Sequence, residues 1–215
     1  MNFDWKSFFE FMPRLIAAAV VTVEISLLSL TLACLLAPAL AVLRMIGPAP
    51  LRFLVSAFVE IIRGVPPLVV IAFVYFAMPA AGLALDGFWT GVLALTVVGM
   101  AYAIEIIRSA IESLGRGQRE AGLALGFPLW RTYIELLLPQ ALKRILPPLT
   151  NELANIIKAS ALLSVISVHE ISQVGQALIF ETFVVVEIII QMAVLYLMIV
   201  GVLIWLSRGL EQRLA

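Results

Sequence analysis

Residues 25–43, 64–85, 87–104 and 188–207 carry no charged side chain, and each run is at least 18 positions long. No other feature limits the fold of this chain so strongly. A helix needs about 20 mostly apolar residues to cross roughly 30 Å of hydrocarbon, so these runs read as membrane-spanning helices. Whole-chain composition agrees. Hydrophobic residues make up 63% and charged residues 13%, against about 45–50% and about 25% in a soluble domain. The fold class expected is an all-α integral membrane protein. Net charge is zero, with 14 basic and 14 acidic residues, so there is no basic footprint for nucleic acid.

Five spans are expected, near 15–43, 66–79, 87–108, 147–168 and 184–207. The fourth is the least apolar, because it contains Glu152 and Lys158 and only 159–168 is free of charge. It is counted because an even number of spans would break the charge asymmetry of the loops. The first helix is read as retained rather than cleaved: Asp4 and Glu10 lie among its leading charges, and Ala17, Ala18 and Ala19 open its apolar run instead of closing it. With the N-terminus outside, Arg44, Arg52, Arg108, Arg116, Arg119, Arg131, Lys143, Arg144, Arg208 and Arg213 fall in inside loops, and only Lys6 and Arg14 fall outside. That bias orients the chain N-out and C-in by the positive-inside rule. Residues 1–14 are then an extracytoplasmic segment, and 15–212 form one membrane domain in the cytoplasmic membrane.

The loop at 109–146 is the one long inside connection. It lacks the polar richness of a disordered linker. Glu120 to Leu125 can form a short helix, Gly126 suits the position just past its end, and Pro128 can start another. In the second helix Trp130, Tyr133, Ile134, Leu137 and Leu138 recur at helical spacing until Pro139 interrupts it. Two short helices and a turn would make a knob outside the bilayer. A helix lying on the lipid surface is the rival reading. The small residues Ala121, Gly122 and Ala124 in place of a basic face favour protein docking. Small residues also recur every four positions at Ala33, Ala37 and Ala41, and at Gly99 and Ala103, a spacing that lets helices pack closely in lipid.

A charge near the bilayer centre costs about 2.5–3.5 kcal/mol, so such groups face a cavity or a partner. Lys158 shares a helix face with Asn151 and Asn155 and either lines a cavity or reaches back to the interface. Glu60 and Arg63 are three apart and are followed by Gly64, Pro66 and Pro67. Residues 60–67 therefore read either as a helix that kinks into the second span or as a simple turn into it. Glu105 and Arg108 have the same spacing at the inner end of the third span and read as an interfacial pair. Glu24 and Glu187 sit toward the outer side. Cys34 reads as a small core residue and His169 as an interfacial one. The chain has no phosphate-binding P-loop, no His-Glu-x-x-His and no nucleophile elbow. Neither a catalytic group nor a metal site is expected.

Four ordered stretches carry a resemblance. "EAGLALGFPLWRTYIELLLP" from Glu120 to Pro139 is similar to the EAA loop of ABC-importer permeases, with Gly122 where the pattern has Ala and Leu136 where it has Ile. "VEIIRGVPPLVV" from Val59 resembles the E-x-x-R-G-T-P hallmark of the polar amino-acid branch, with Val65 for Thr. "AYAIEIIRSAIESLGRGQREA" from Ala101 and "LPPLTNELANIIKASALLSVISVHEI" from Leu146 resemble two further segments of that branch. The second has Ala159-Ser160-Ala161 where Asp-Thr-Ser is usual.

The resemblance implies a type I ABC-importer permease fold of five spans with a cytoplasmic coupling helix. Glu120, Ala121, Gly122, Gly126, Phe127 and Pro139 would form the contact with an ATPase, Glu120 being the charged anchor. Glu60, Arg63, Asn155, Lys158 and Ser160 would lie along the substrate path. The implied partners are two cytoplasmic ABC ATPase subunits, a second permease chain (this one or a homologue), an extracytoplasmic solute-binding protein and a small polar amino acid or similar zwitterion. ATP and magnesium would be used by the ATPase, with no cofactor on this chain. The other readings are an ion-coupled carrier or channel and a membrane scaffold.

Overall fold

A computed structural model describes residues 5–83 and 85–214. Residues 1–4 of the expected N-terminal segment lie outside the described residues. Among the described residues every regular element is helical. The order is α1 (Trp5–Ile46), α2 (Ala49–Gly64), α3 (Pro67–Ala80), α4 (Gly87–Glu112), α5 (Arg116–Ala124), a single turn α6 (Leu129–Arg131), a π-helical segment (Thr132–Leu137), α7 (Leu138–Ala159), a 3-10 segment (Ser160–Ile166), α8 (Ile171–Thr182) and α9 (Val186–Leu214).

Four helical stretches are long and apolar enough to cross a membrane: Phe8–Ile46, Gly87–Glu112, Leu129–Ile166 and Val186–Gly209. The fifth pass is the broken pair α2–α3, bent by 115°. The break follows from its residues. Pro66 and Pro67 supply no N–H, and Val65 takes extended backbone, with its own N–H closing α2 on the Ile61 carbonyl at 3.1 Å. Residues 60–64 thus finish the first helix of the pair, and Pro67 opens the second.

Two differences from the sequence reading bear on the site. α1 starts at Trp5, well before residue 15, because Phe11 and Leu15 pack in one cluster with Ile171, Leu178 and Ile188 from α8 and α9. Pro139 does not interrupt the helix after Pro128. The chain runs as one helical stretch from Leu129 to Ile166. The π-helical segment absorbs the proline: the Leu138 N–H reaches back five residues to the Tyr133 carbonyl, and the Gln140 side-chain amide donates to the Leu136 carbonyl at 3.0 Å. One wide turn fits a residue without an N–H more easily than a break would.

The core runs the length of the bundle in three clusters. α1 and α4 form its most extensive helix pair, with α7 packed on α4. Ala33, Ala37, Ala41 and Ala103 are fully buried. A Cβ on Gly99 would stand 2.8 Å from Ile156 Cδ1 and 3.6 Å from the Ala33 Cβ. The small-residue spacing in α1 and α4 therefore marks the seam where α1, α4 and α7 meet.

Candidate functional site: the knob and the charged cluster beside it

α5 ends in a Schellman arrangement. The Phe127 N–H donates to the Gly122 carbonyl at 3.1 Å, and the Gly126 N–H donates to the Leu123 carbonyl at 3.0 Å. Gly126 holds φ +82°, a left-handed conformation that costs an L-residue about 1–2 kcal/mol. Pro128, extended at ψ 154°, then caps the next helix. The turn between the two helices is thus fully hydrogen-bonded.

Gly122 has a second reason to be glycine. A Cβ there would stand 2.7 Å from Thr132 Cγ2 and 3.1 Å from Leu136 Cδ2. α5 folds back on the π-helical segment at a distance that leaves no room for a side chain. Tyr133 and Leu137 anchor that segment in the same core cluster as Ala41, Ile107 and Ile111, so the knob is fastened to α1 and α4. Its outer surface is free. Glu120, Ala121, Gly126 and Phe127 are exposed, as are Leu123, Leu125 and Trp130. Pro139 is exposed on the first turn of α7. Apolar side chains around a carboxylate, on a rigid polar protrusion, make a surface suited to another protein.

Replacing Gly126 with valine should loosen this turn while leaving the spans in place. The expected outcome is faster hydrogen exchange at the Phe127 amide by about 5- to 30-fold, the equivalent of the left-handed penalty. An unchanged rate would refute the assignment of strain to that residue.

Next to the knob, charged side chains from three helices converge on Glu105. Arg44 of α1 reaches it at 2.6 Å, Arg108 of α4 at 2.5 Å, and Arg63 of α2 at 3.7 Å. Arg44 also reaches Glu60 at 3.1 Å and Ser56 at 3.2 Å, and Arg108 reaches Glu112 at 2.6 Å. The Arg63 guanidinium lies over the Tyr102 ring at 5.4 Å. Glu60 and Arg63 therefore do not pair with each other: each crosses to a different helix. The network pins α2 against α1 and α4 beside the 115° bend.

The remaining sequence-derived path residues separate. Asn155 is exposed and donates to Glu152 at 3.5 Å, and Glu152 is 5% exposed. Lys158 is exposed and makes no hydrogen bond or ion pair among the described residues. Ser160 is buried and bonds the Ile157 carbonyl of its own helix at 2.8 Å. Asn151, Asn155 and Lys158 thus share an open face, and Ser160 is turned away from it. Glu24 and His169 are exposed, and Cys34 is partly buried.

Sequence reasoning missed two things. It read Glu105 and Arg108 as a local pair, because the cross-helix reach of Arg44 carries no spacing signal. It also passed over Glu170, which is fully buried. This carboxylate caps α8 through the Gln173 N–H at 2.9 Å and accepts from the Tyr196 hydroxyl at 2.6 Å and the Thr22 hydroxyl at 3.4 Å. It ties α1, α8 and α9 together. A carboxylate just ahead of a helix was the available signal.

Five helical passes with a fastened, solvent-facing knob define a multi-pass permease-type membrane subunit. Residues 29–215 match the family described as binding-protein-dependent transport system inner membrane component, and the chain belongs to that family. It is 39% identical over 216 residues to the glutamine transport system permease protein of Escherichia coli strain K12, covering 100% of this chain and 99% of that one. It is 30% identical to the arginine transport system permease protein of Bacillus subtilis strain 168, covering 100% and 98%. Among solved structures it is similar to an amino acid ABC transporter with histidines, at TM-score 0.89 and 30% identity over 99% of this chain and 100% of that one. A methionine ABC transporter in inward-facing form shares the fold at TM-score 0.83 and 19% identity, covering 96% and 98%. The chain is a transport component that spans the inner membrane several times.

Proposed function

We propose that this chain forms the membrane path of an ATP-driven importer for a polar amino acid, and that the knob centred on Glu120 seats in a cytoplasmic ATPase. The observation that carries this reading is the closed, fastened turn at Gly122–Phe127, which leaves Glu120 exposed on a rigid base. A floppy loop would dissipate a push, whereas this one passes it to α4 through Tyr133 and Leu137 and to α7 along the continuous helix. ATP and magnesium belong to the ATPase pair and no cofactor to this chain. Its other partners are a second permease chain and a receptor that delivers solute from outside. The cargo class follows from relatives named for glutamine, arginine and, at 34% identity over 95% of this chain, L-cystine. Two ATPase states would favour two arrangements of the bundle, so import needs differential packing and no covalent chemistry here. Asn151, Asn155 and Lys158 supply the polar wall of the path. A polar face at membrane depth is costly against lipid and inexpensive against water or a second permease. The arginine bias of the loops supports a knob and a C-terminus on the inside.

The test is uptake by the complex recovered in mild detergent and returned to vesicles. Amino-acid uptake should require ATP on the knob side. A Gly117→Cys probe in right-side-out vesicles should label only after the membrane is opened. Uptake that outlasts ATP depletion but ends when an ion gradient collapses would make the chain a carrier instead.

A further inference from the structure

Arg63 is the loosest member of the charged cluster. Glu105 already holds Arg44 and Arg108 at 2.6 and 2.5 Å, and Arg63 stands third in line at 3.7 Å. Its side chain is 37% exposed, and its guanidinium rests on the Tyr102 ring. It sits in the last turn of α2, two residues ahead of the extended backbone at Val65, where the α2–α3 pair bends by 115°. One crowded carboxylate and one aromatic face hold it there.

A second carboxylate lies within its influence. Glu152 on α7 is 5% exposed, yet its hydrogen bond from Asn155 is long, at 3.5 Å, and no ion pair reaches it among the described residues. The basic groups whose charge acts on it are Arg63 and Lys158. Lys158 is six positions further along α7 and so lies on another face of the helix. Between α2, α4 and α7 is a cavity of about 420 Å³, lined by Arg63, by Tyr102, Glu105 and Ser109 of α4, and by Arg144 and Pro148 of α7. Pro148 is four positions from Glu152, one turn away on the same face. A buried carboxylate without a close counter-charge is costly, and a guanidinium that moves onto it relieves the cost. Glu105 keeps two arginines when the third leaves, so the exchange strands no charge.

We propose that Arg63 is a two-position latch. It ties α2 to α4 through Glu105 in the arrangement described, and it crosses the cavity to tie α2 to α7 through Glu152 in a second arrangement of the bundle. α7 continues from the knob in one helical stretch, so its movement brings Glu152 toward or away from the end of α2, and the break at Val65 lets that end follow. Engagement of Glu152 by Arg63 also frees the Asn155 amide toward the polar wall of the path. The exchange itself rests on these side chains; only its drive rests on the ATPase contact proposed above.

The experiment measures the separation of α2 and α7 by pulsed electron resonance in the assembled complex. Spin labels are placed at Ile61→Cys and Leu142→Cys, both exposed sites, in a Cys34→Ala background. Labelled chain is diluted so that one copy per complex carries them. Two separations are expected, and ATP should raise the minor one at least about 5-fold, the lower end of ordinary coupling between sites. Glu152→Gln and Arg63→Gln should each cut the minor separation at least about 5-fold, with ATP and without it. The double variant should lose no more than either alone, because both remove the same pair. Arg63→Lys keeps the charge and should keep most of the effect. Arg52→Gln, on the first turn of α2 and in no ion pair among the described residues, should change nothing. Thermal unfolding checks that each variant is folded. Arg63 is open enough for its variant to fold even where Glu152→Gln does not.

A single separation in the parent overturns the latch and leaves Arg63 a fixed brace. So does a minor separation that persists in folded Arg63→Gln, and so do losses that multiply in the double variant. Uptake by the same complexes keeps the two readings apart. ATP-dependent import alongside any of those results sinks the latch and leaves the importer standing. Separations that respond to the variants but ignore ATP keep the latch and remove its drive.

Discussion

A complex carrying Glu120→Lys reaches the membrane and unfolds at the same temperature as the parent, yet imports at least about 30-fold more slowly, the loss that follows from removing one partner of a desolvated charge pair. The folding half of this expectation comes from position. Glu120 is exposed on α5 and makes no ion pair among the described residues, and exposed sites away from packing shift stability by less than about 0.5 kcal/mol. The transport half comes from the surface around it. A carboxylate amid exposed Leu123, Leu125 and Phe127 becomes buried if the knob is seated, and a lysine then meets whatever basic group the carboxylate had faced. Measured uptake together with ATP hydrolysis separates the outcomes. Import at the parental rate with the same ATPase would remove Glu120 from the contact.

Glu105→Gln should have the largest effect on stability. One carboxylate, with its side chain 19% exposed, holds Arg44 and Arg108 at 2.6 and 2.5 Å, with Arg63 beside them. The amide keeps the shape and loses the charge, so Arg44, whose side chain is only 12% exposed, loses the partner at 2.6 Å. A hydrogen bond to a charged group contributes about 1.5–3 kcal/mol, and breaking a buried pair by removing one member costs about 3–5 kcal/mol. With partial exposure, a loss of about 2–3 kcal/mol is expected. Heat inactivation in detergent should begin at a lower temperature, and α2 should exchange its amides faster, because the network joins the apolar packing of Val59 in fixing it to α1 and α4. Glu105→Asp should recover part of both. Full parental stability in Glu105→Gln would show that Glu60 and Glu112 suffice.

The sequence revealed most about the elements whose pattern is local. Charge-free runs located the passes because lipid penalises each charge separately. Gly126 and Pro128 marked a turn because their backbone preferences act on their own positions. Gly122 was legible only as a departure from a pattern: its need for space comes from Thr132 and Leu136, which reach it through the fold and not along the helix. Pro139 was misjudged for a related reason. Proline removes one donor wherever it stands, but whether the helix breaks depends on how the turn ahead of it is wound, and here the Leu138 N–H reaches back to the Tyr133 carbonyl and the helix continues. The ion network was half visible. Glu60 and Arg63 stood out, yet their true partners, Arg44 and Glu105, lie on other helices. Glu170 escaped notice because a carboxylate after an apolar run looks like the surface until Thr22 and Tyr196 close over it.

The unbroken stretch from Leu129 to Ile166 behaves as a lever. At 1.5 Å per residue its 38 residues extend roughly 57 Å. One degree of tilt at the knob then carries the far tip roughly 1 Å sideways, about the clearance that separates a tight seam from a loose one. If the knob seats in an ATPase as proposed, a small movement at one end of this stretch is carried to the other, and the wide turn ahead of Pro139 is what keeps the beam continuous there.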